Sequence, residues 1–233
     1  MDMQTTIETT PSVQPLESPK GEERWFGGGQ RVILHGISWE TYERLLDDMG
    51  DSHAAHFAYD QGELEIMVPS EEHEEPNRTL ATFIEVLAEE LNIDLRRLGS
   101  TTLKRADLHK GFEPDSCFYI QNEALVRGKK KLDFAVDPPP DLIIEVDVTS
   151  PSLNKFPIYA KLGIAELWRY KNNQVQIFGL SNGQYLEVAN SIAFPLLTNA
   201  MATQFITESS VVTSTVWLRR VRQWVREASG IGK

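Results

Sequence analysis

The stretch from residue 138 to residue 170 holds the residues whose types and spacing are best suited to chemistry. An apolar run that begins at Leu142 is interrupted by Glu145 and Asp147. Alternate side chains of a β-strand point to opposite faces, so Glu145 and Asp147 share one face with Ile143. Carboxylates on a buried strand face are costly unless a cation lies beside them. The pattern therefore predicts a metal ion, a lysine or an arginine next to this strand.

Two further segments carry residues of the same kind. Residues 69–74 read Pro-Ser-Glu-Glu-His-Glu, and Pro114-Asp115 stands at the mouth of a predicted strand. The apolar stripe of the helix that ends near Leu91, extended backwards, places His73 and Asn77 on its inward face. Mg²⁺ takes oxygen ligands, uses one or two carboxylates and keeps waters that a substrate phosphate can replace. A water with a lowered pKa can attack a phosphodiester, and a lysine can orient it and offset the developing charge.

The elements expected to position these residues form one α+β domain. A buried strand over residues 142–147 is followed by a short helix, for which Asn154 is the predicted N-cap and Gly163 the predicted end, and by a strand over residues 165–170. The other predicted elements are a strand 31–34, a helix 38–49, a hairpin of 53–60 and 63–68, a helix ending near 91, strands 95–105 and 111–120, a hairpin of 174–178 and 185–188, and an amphipathic helix 211–229. Residues 1–29 are rich in Thr, Ser, Pro, Glu and Gly and are predicted to be a disordered tail, which leaves residues 30–233 as a single domain.

Composition limits the class of protein. The net charge of −11 argues against strong adhesion to DNA without regard to sequence, because such binding depends on neutralising phosphates. Local basic clusters can still attract nucleic acid, and candidates lie at 127–131, around residues 104–110 and on the last helix. The single cysteine, Cys117, fits a reducing compartment. No apolar run approaches the ~20 residues of a membrane span and no signal peptide is visible, so we expect a cytoplasmic protein without a membrane partner.

Five segments, in this order, resemble the Uma-type family of bacterial putative restriction endonucleases, within the PD-(D/E)XK nuclease superfamily. They are Pro69-Ser70-x-x-His73-Glu74, Glu113-Pro114-Asp115, Pro140-Asp141-Leu142-Ile143-Ile144-Glu145-Val146, Ser150-Pro151-Ser152 and Lys155-x-x-x-Tyr159-x-x-x-Gly163-Ile164-x-Glu166-Leu167-Trp168. The resemblance covers about residues 35 to 200. It implies a restriction-endonuclease-like fold, with a central mixed β-sheet flanked by helices, and a metal-dependent endonuclease that acts on DNA.

The resemblance also implies roles for individual residues. Asp115 is the aspartate of the PD motif and Glu145 the first member of the (D/E)XK pair, and with the carbonyl of Val146 they bind Mg²⁺ or Mn²⁺. His73 or Glu74 contributes from its helix, and Asp147 has a supporting role. The superfamily pattern has a lysine two residues after the glutamate, where this chain has Asp147. The resemblance places the migrated lysine at Lys155, with Lys161 as the alternative.

Several alternatives stay open. Taking Pro140-Asp141 as the PD motif puts both carboxylates on one strand, about 13 Å apart, which is unfavourable for one ion. The missing lysine at position 147 favours a second hypothesis, a catalytically inactive nuclease fold that binds nucleic acid or protein. A lysine at position 155 that points to solvent would favour that hypothesis. A third is a metal hydrolase with a small phosphoester substrate. A homodimer is a further option, because many nucleases cut duplexes as two-fold dimers.

Overall fold

The computed structural model of the chain describes residues 30–50, 54–147 and 153–230. The predicted tail, the start of the first hairpin at His53 and the predicted turn at residues 149–152 lie outside these ranges. The strands are β1 Gln30–His35, β2 His56–Asp60, β3 Glu63–Val68, β4 Arg96–Gly99, β5 Leu103–Arg105, β6 Lys110–Phe112, β7 Ser116–Tyr119, β8 Leu142–Asp147, β9 Glu166–Lys171, β10 Gln174–Ser181 and β11 Gln184–Glu187. The helices are α1 Trp39–Met49, α2 Glu71–Glu90, α3 Glu123–Val126, α4 Phe156–Leu162, α5 Asn199–Ser209 and α6 Ser214–Ser229.

The central sheet is mixed and has six strands in the order β11-β10-β9-β8-β7-β4. Strands β8 and β9 are parallel, and the other pairs in this sheet are antiparallel. The parallel pair requires a crossover, which α4 provides between the two strands. Helices α2, α5 and α6 cover one face of the sheet, where their apolar residues form one core with those of β8. The predicted central mixed sheet flanked by helices is confirmed.

A second sheet of five strands, in the order β1-β3-β2-β6-β5, is antiparallel throughout. Its own core packs against α1 through a compact group of aromatic rings. The rings of Tyr42 and Tyr59 are stacked with centroids 4.9 Å apart, and Trp39 meets Tyr59 edge to face. The sequence predicted these strands and this helix but did not predict that they form a separate sheet.

The chain passes from one sheet to the other three times: through α2, between β4 and β5, and between β6 and β7. The last two crossings interrupt the two predicted long strands, and both of those predictions were wrong. The predicted strand 95–105 is β4 in the mixed sheet and β5 in the second sheet, separated at Gly99, whose φ of +63° breaks the extended backbone. The predicted strand 111–120 is β6 in the second sheet and β7 in the mixed sheet. Residues 113–115 connect β6 to β7, and the nitrogen of Pro114 cannot donate to a strand ladder. The crossing between β6 and β7 therefore brings Asp115 to the junction of the two sheets.

The remaining elements agree closely with the predicted pattern. Helix α1 begins after Ser38, whose hydroxyl accepts from the backbone N–H of Thr41. Gly163 ends α4 in the left-handed conformation, as predicted, whereas the N-cap is Lys155 rather than Asn154. The sequence did not indicate α5, and the last helix begins at Ser214, three residues later than predicted. Within the described ranges, no helix is both long and apolar enough to cross a membrane.

Candidate functional site

Asp115 and Glu145 lie side by side at the junction of the two sheets. The antiparallel register of β7 and β8 pairs Cys117 with Ile143 and Ser116 with Ile144, so the next positions, 115 and 145, face each other. Both residues are buried, at 4% and 9% exposure. The backbone N–H of Val146 donates to Oδ2 of Asp115 at 2.6 Å. The structure therefore brings the two predicted carboxylates and the peptide of Val146 into one place.

Lys155 reaches this pair from the residue before α4. Its Nζ lies 3.1 Å from Oε2 of Glu145, and its side chain is only 11% exposed. A second carboxylate, Glu65 on β3 of the other sheet, lies 3.6 Å from the same nitrogen. The side chain of a lysine ten residues after Glu145 therefore lies beside its carboxylate.

Two histidines enclose Asp115. Nδ1 of His56, on β2, is 3.1 Å from Oδ1 of Asp115, and Nε2 of His73, on α2, is 3.1 Å from Oδ2. One turn further along α2, the side chain of Asn77 donates to the backbone carbonyl of Asp115 at 3.2 Å and accepts from the hydroxyl of Ser116 at 2.8 Å. The inward positions of His73 and Asn77, expected from the helical stripe, are confirmed. Together with the backbone N–H of Val146 on β8, these contacts hold Asp115 from three elements.

Burial and close charges shift the pKa values of this cluster. Burial acts to raise the pKa of Asp115, but contacts with His56 and His73 outweigh it and hold that pKa below its usual range. Burial acts to lower the pKa of His73, and Asp115 outweighs it, so that pKa is raised. The pKa of Glu145 is raised by burial, which Lys155 opposes and Asp115 reinforces. Burial would lower the pKa of Lys155, but Glu145 and Glu65 raise it to about 12.

The cluster retains two buried oxygens without a hydrogen bond of normal geometry among the described residues. They are Oε1 of Glu145 and the hydroxyl of Tyr159, which lies close enough to Glu145 to act on its pKa. Such an atom is costly unless a ligand completes it. No three His, Cys, Asp or Glu side chains of the described ranges are grouped to hold an ion. A cation here would therefore take two carboxylates and complete its shell with a backbone carbonyl and waters, which is how Mg²⁺ is commonly bound.

Other residues that the sequence singled out lie elsewhere. Asp147 pairs with Lys171 of β9, at 2.6 Å. Glu74 pairs with Arg78 on the surface of α2, and Lys161 is exposed on α4. Asp141 accepts from the backbone N–H groups of residues 120 and 122 at 2.7 and 2.9 Å, which makes it an anchor for that connection.

Comparison with known proteins supplies the family. A family model described as Uma2, putative restriction endonuclease, matches residues 39–207, which is more than half of the chain. The chain belongs to the Uma2 family. The match excludes α6, which packs on the mixed sheet from outside the matched range.

The solved structures agree at the level of the fold. A crystal structure described as a putative nuclease belonging to DUF820, from Anabaena variabilis, superposes with a TM-score of 0.51 and 14% sequence identity. The superposition covers 73% of this chain and 99% of that chain. A search of curated proteins found no match. The Uma2 chain therefore has the fold of a putative nuclease of known structure.

Sequence reasoning missed the contribution of the second sheet. Glu65, at 1% exposure, meets Lys155 and also accepts from the backbone N–H of Leu153 at 2.8 Å. Glu113 is also buried and accepts from the backbone N–H of Phe57 at 3.1 Å. The signal for Glu65 was present, since this glutamate interrupts an apolar strand in the same manner as Glu145. His56 carried no signal that distinguished it from any other polar residue near a strand end.

The basic clusters are largely neutralised in this Uma2 protein. Arg127 pairs with Glu123 and Asp94, and Lys129 pairs with Asp137. Around residues 104–110, each of the three basic side chains has an acidic partner. On α6, Arg222 and Arg226 contact acidic residues at the end of α2. The three clusters are therefore weak candidates for a phosphate-binding surface.

Proposed function

We propose that this protein is a Mg²⁺- or Mn²⁺-dependent endonuclease that hydrolyses phosphodiester bonds of DNA. One observation carries the proposal: Asp115, directly before β7, lies beside Glu145 of the adjacent strand β8, and the ammonium group of Lys155 lies 3.1 Å from Glu145. Membership of a family described as putative restriction endonucleases supports the same reaction class.

The residues fit a divalent cation. Asp115 stays ionised because its pKa is lowered, and Glu145 keeps a buried oxygen that lacks a hydrogen bond of normal geometry and that a cation would satisfy. Asp115, Glu145 and the carbonyl of Val146 would hold the ion. When bound, it would supply Lewis acidity and an acidified water for attack on phosphorus.

The protein's own side chains then have distinct tasks. Lys155 orients the attacking water and offsets negative charge that develops on the phosphate. Its raised pKa, about 12, keeps it cationic at neutral pH. His73 supports Asp115 through a 3.1 Å contact. Asp147 has an indirect, supporting role: its ion pair with Lys171 joins the end of β8 to β9.

The position of Lys155 also bears on the inactive-module alternative. That alternative expects a lysine that points to solvent, whereas this side chain is 11% exposed and contacts two carboxylates. The geometry therefore favours an active enzyme over a retired nuclease fold.

The experiment that tests the proposal is a calorimetric titration with Mg²⁺ and with Mn²⁺. Wild type is compared with Glu145→Gln, which keeps the side-chain volume but removes the charge, and with Glu85→Gln, a surface carboxylate paired with Arg97. We expect binding in wild type and in Glu85→Gln and its loss in Glu145→Gln.

The same three proteins are then assayed for cleavage of a plasmid and of duplex oligonucleotides. Cleavage that depends on both the metal and Glu145 supports the proposal. Absence of metal binding in wild type, both alone and with a non-cleavable DNA duplex, would overturn it, as would cleavage that survives Glu145→Gln.

A further inference from the structure

Arg169 stands beside the proposed catalytic pair on the next strand. The parallel register of β8 and β9 pairs Glu145 with Arg169, and the antiparallel register of β9 and β10 pairs Arg169 with Gln176. Paired residues on neighbouring strands project from the same face of a sheet, and neighbouring strands lie about 4.8 Å apart. Asp115, Glu145, Arg169 and Gln176 therefore form one polar row across four strands.

The guanidinium group of Arg169 is held by its surroundings. Its central carbon lies 5.0 Å from the ring centroid of Phe178 and 5.4 Å from that of Phe156. Its Nε and Nη2 both donate to Oε1 of Gln176, at 3.1 and 2.7 Å. Phe156 directly follows Lys155, so the start of α4 contributes both to the proposed catalytic cluster and to the aromatic contacts of Arg169. The orientation of the guanidinium is thus set before any ligand arrives.

Arg169 differs from the other basic residues in its charge balance. In the described ranges most lysines and arginines have a carboxylate within ion-pair distance, whereas Arg169 has none, and its Nη1 has no described acceptor. Arg96, which is also half-buried, donates to two backbone carbonyls instead. The other basic residues without a described acidic partner lie on the exposed surface: Arg44, Lys130, Lys131, Lys161 and Arg219.

An oriented, half-buried cation without a counter-ion is suited to bind an anion. The planar guanidinium donates two parallel hydrogen bonds to phosphate, and stacking on aromatic rings reduces the entropy lost on binding. The chain as a whole carries a charge of −11, so attraction of a polyanion must come from local positive groups of this kind. Arg169 lies on the strand directly next to that of Glu145, which places it beside the proposed site of cleavage.

We propose that Arg169 binds a DNA backbone phosphate adjacent to the phosphate that is cleaved, with Gln176 holding its guanidinium in position. The inference rests on the proposed nuclease function and names the group that positions its substrate strand. It assigns Arg169 a substrate-binding role that sequence reasoning did not indicate.

The test is a fluorescence-anisotropy titration of a labelled, non-cleavable phosphorothioate DNA duplex over a series of salt concentrations. Arg169→Met keeps an apolar side chain that can pack on the aromatic rings but removes the charge. Arg169→Lys keeps the charge but removes the paired N–H donors of the guanidinium. Arg44→Met, on the exposed surface of α1, is the matched control.

We expect Arg169→Met to weaken binding about tenfold or more, because a charge-assisted hydrogen bond is lost. The slope of log affinity against log salt should fall by about 0.9, the value for one phosphate contact on a duplex. Arg169→Lys should keep the wild-type slope with an intermediate affinity, and Arg44→Met should match wild type in both quantities.

Metal titration and thermal unfolding of the same variants distinguish this role from a structural one. Arg169→Met should bind Mg²⁺ or Mn²⁺ as wild type does. A variant that loses thermal stability but keeps the wild-type affinity and salt slope would overturn the proposal and leave Arg169 as a packing residue.

The failure of this inference is separable from that of the proposed function. If wild type cuts and binds the duplex, and Arg169→Met does so equally well, only the role of Arg169 is overturned. If wild type neither binds nor cuts the duplex, the nuclease proposal fails and this inference with it. Binding of an RNA duplex but not of DNA would overturn the assignment of DNA as the ligand.

Discussion

Strand β8 has two faces of different chemistry. Leu142, Ile144 and Val146 are at most 5% exposed and lie in one apolar core with residues of α2, α5 and α6. The opposite face starts with Ile143, which packs under α4, and continues with Glu145 and Asp147. The first face lowers the free energy of the fold, because burial of apolar surface contributes about 25 cal/mol per Å².

The polar face does not stabilise the fold in this way. Glu145 is buried beside Asp115, and burial of two like charges is unfavourable unless cations compensate them. Compensation comes from Lys155 on the crossover and from His73 on α2, whose pKa is raised, and His56 on the second sheet adds a 3.1 Å contact with Asp115. We therefore expect that a substitution on the apolar face lowers stability without loss of activity. Substitutions on the polar side should change the cleavage rate and the charge balance, and the predictions below separate the two faces.

The largest effect is expected from Asp115→Asn on the polar side. Loss of the carboxylate charge should lower the cleavage rate at least about a thousandfold, because charge stabilisation in the transition state depends on it. The measurement is the single-turnover rate on duplex DNA at saturating Mg²⁺. Asp94→Asn, at a carboxylate paired with Arg127 on the surface, should retain the wild-type rate. Equal rates in all three proteins would remove Asp115 from the catalytic machinery.

The next largest effect is a loss of stability in Lys155→Met. This variant removes the cation that Glu145 and Glu65 share. The free energy of unfolding in urea should fall by about 3 kcal/mol, as when one partner of a buried ion pair is removed. Glu65 keeps a second cation, Arg31, at 3.5 Å, so the carboxylate left uncompensated is that of Glu145. Adding Glu145→Gln should therefore restore part of this stability without restoring cleavage. A double variant no more stable than Lys155→Met would mean that the charge of Glu145 does not depend on the lysine as the distance indicates.

Ile144→Ala, on the apolar face, is expected to lower stability without lowering the cleavage rate of the folded protein. The free energy of unfolding should fall by about 2 to 5 kcal/mol through lost burial and a residual cavity. Because Ile144 does not face the cluster, the cleavage rate per folded molecule should remain close to that of wild type. Val32→Ala, at a residue 47% exposed on β1, is the control and should change stability much less. A large fall in the rate of the folded fraction would mean that the two faces are not independent.

The smallest effect concerns pH. The pKa of His73 is raised in the fold, so its contribution to stability is fully present below the unfolded pKa of about 6.5 and is lost as pH rises through the folded value. Without divalent cations, the unfolding midpoint of wild type should therefore fall as pH rises from 6 to 9. His73→Gln should show a flatter profile over the same range. Parallel profiles for the two proteins would argue against a charged His73–Asp115 contact.

Local patterns in the sequence predicted most of the individual elements. The alternation of residues 142–147 and the glycine at position 163 each specify structure through neighbours close in the chain, and each prediction is confirmed. The predicted helix 38–49 is also present and begins one residue later, at Trp39. The two predicted strands that span 95–105 and 111–120 were wrong because local patterns do not specify which sheet a strand joins. Their apolar patterns are continuous, but the division between two sheets depends on partner strands far away in the chain.

For the candidate site, the sequence by itself determined the residue types and indicated that the buried carboxylate of Glu145 needs a cation beside it. A glutamate amid Ile, Ile and Val requires compensation wherever the strand is buried, and the resemblance to a family named the residues concerned. Only the tertiary structure decided which groups supply the compensation. Glu65, His56 and Arg169 come from strands distant in sequence, and Lys155 meets Glu145 because the start of α4 lies beside β8. Such contacts depend on strand register and on the junction of two sheets, which no local pattern specifies.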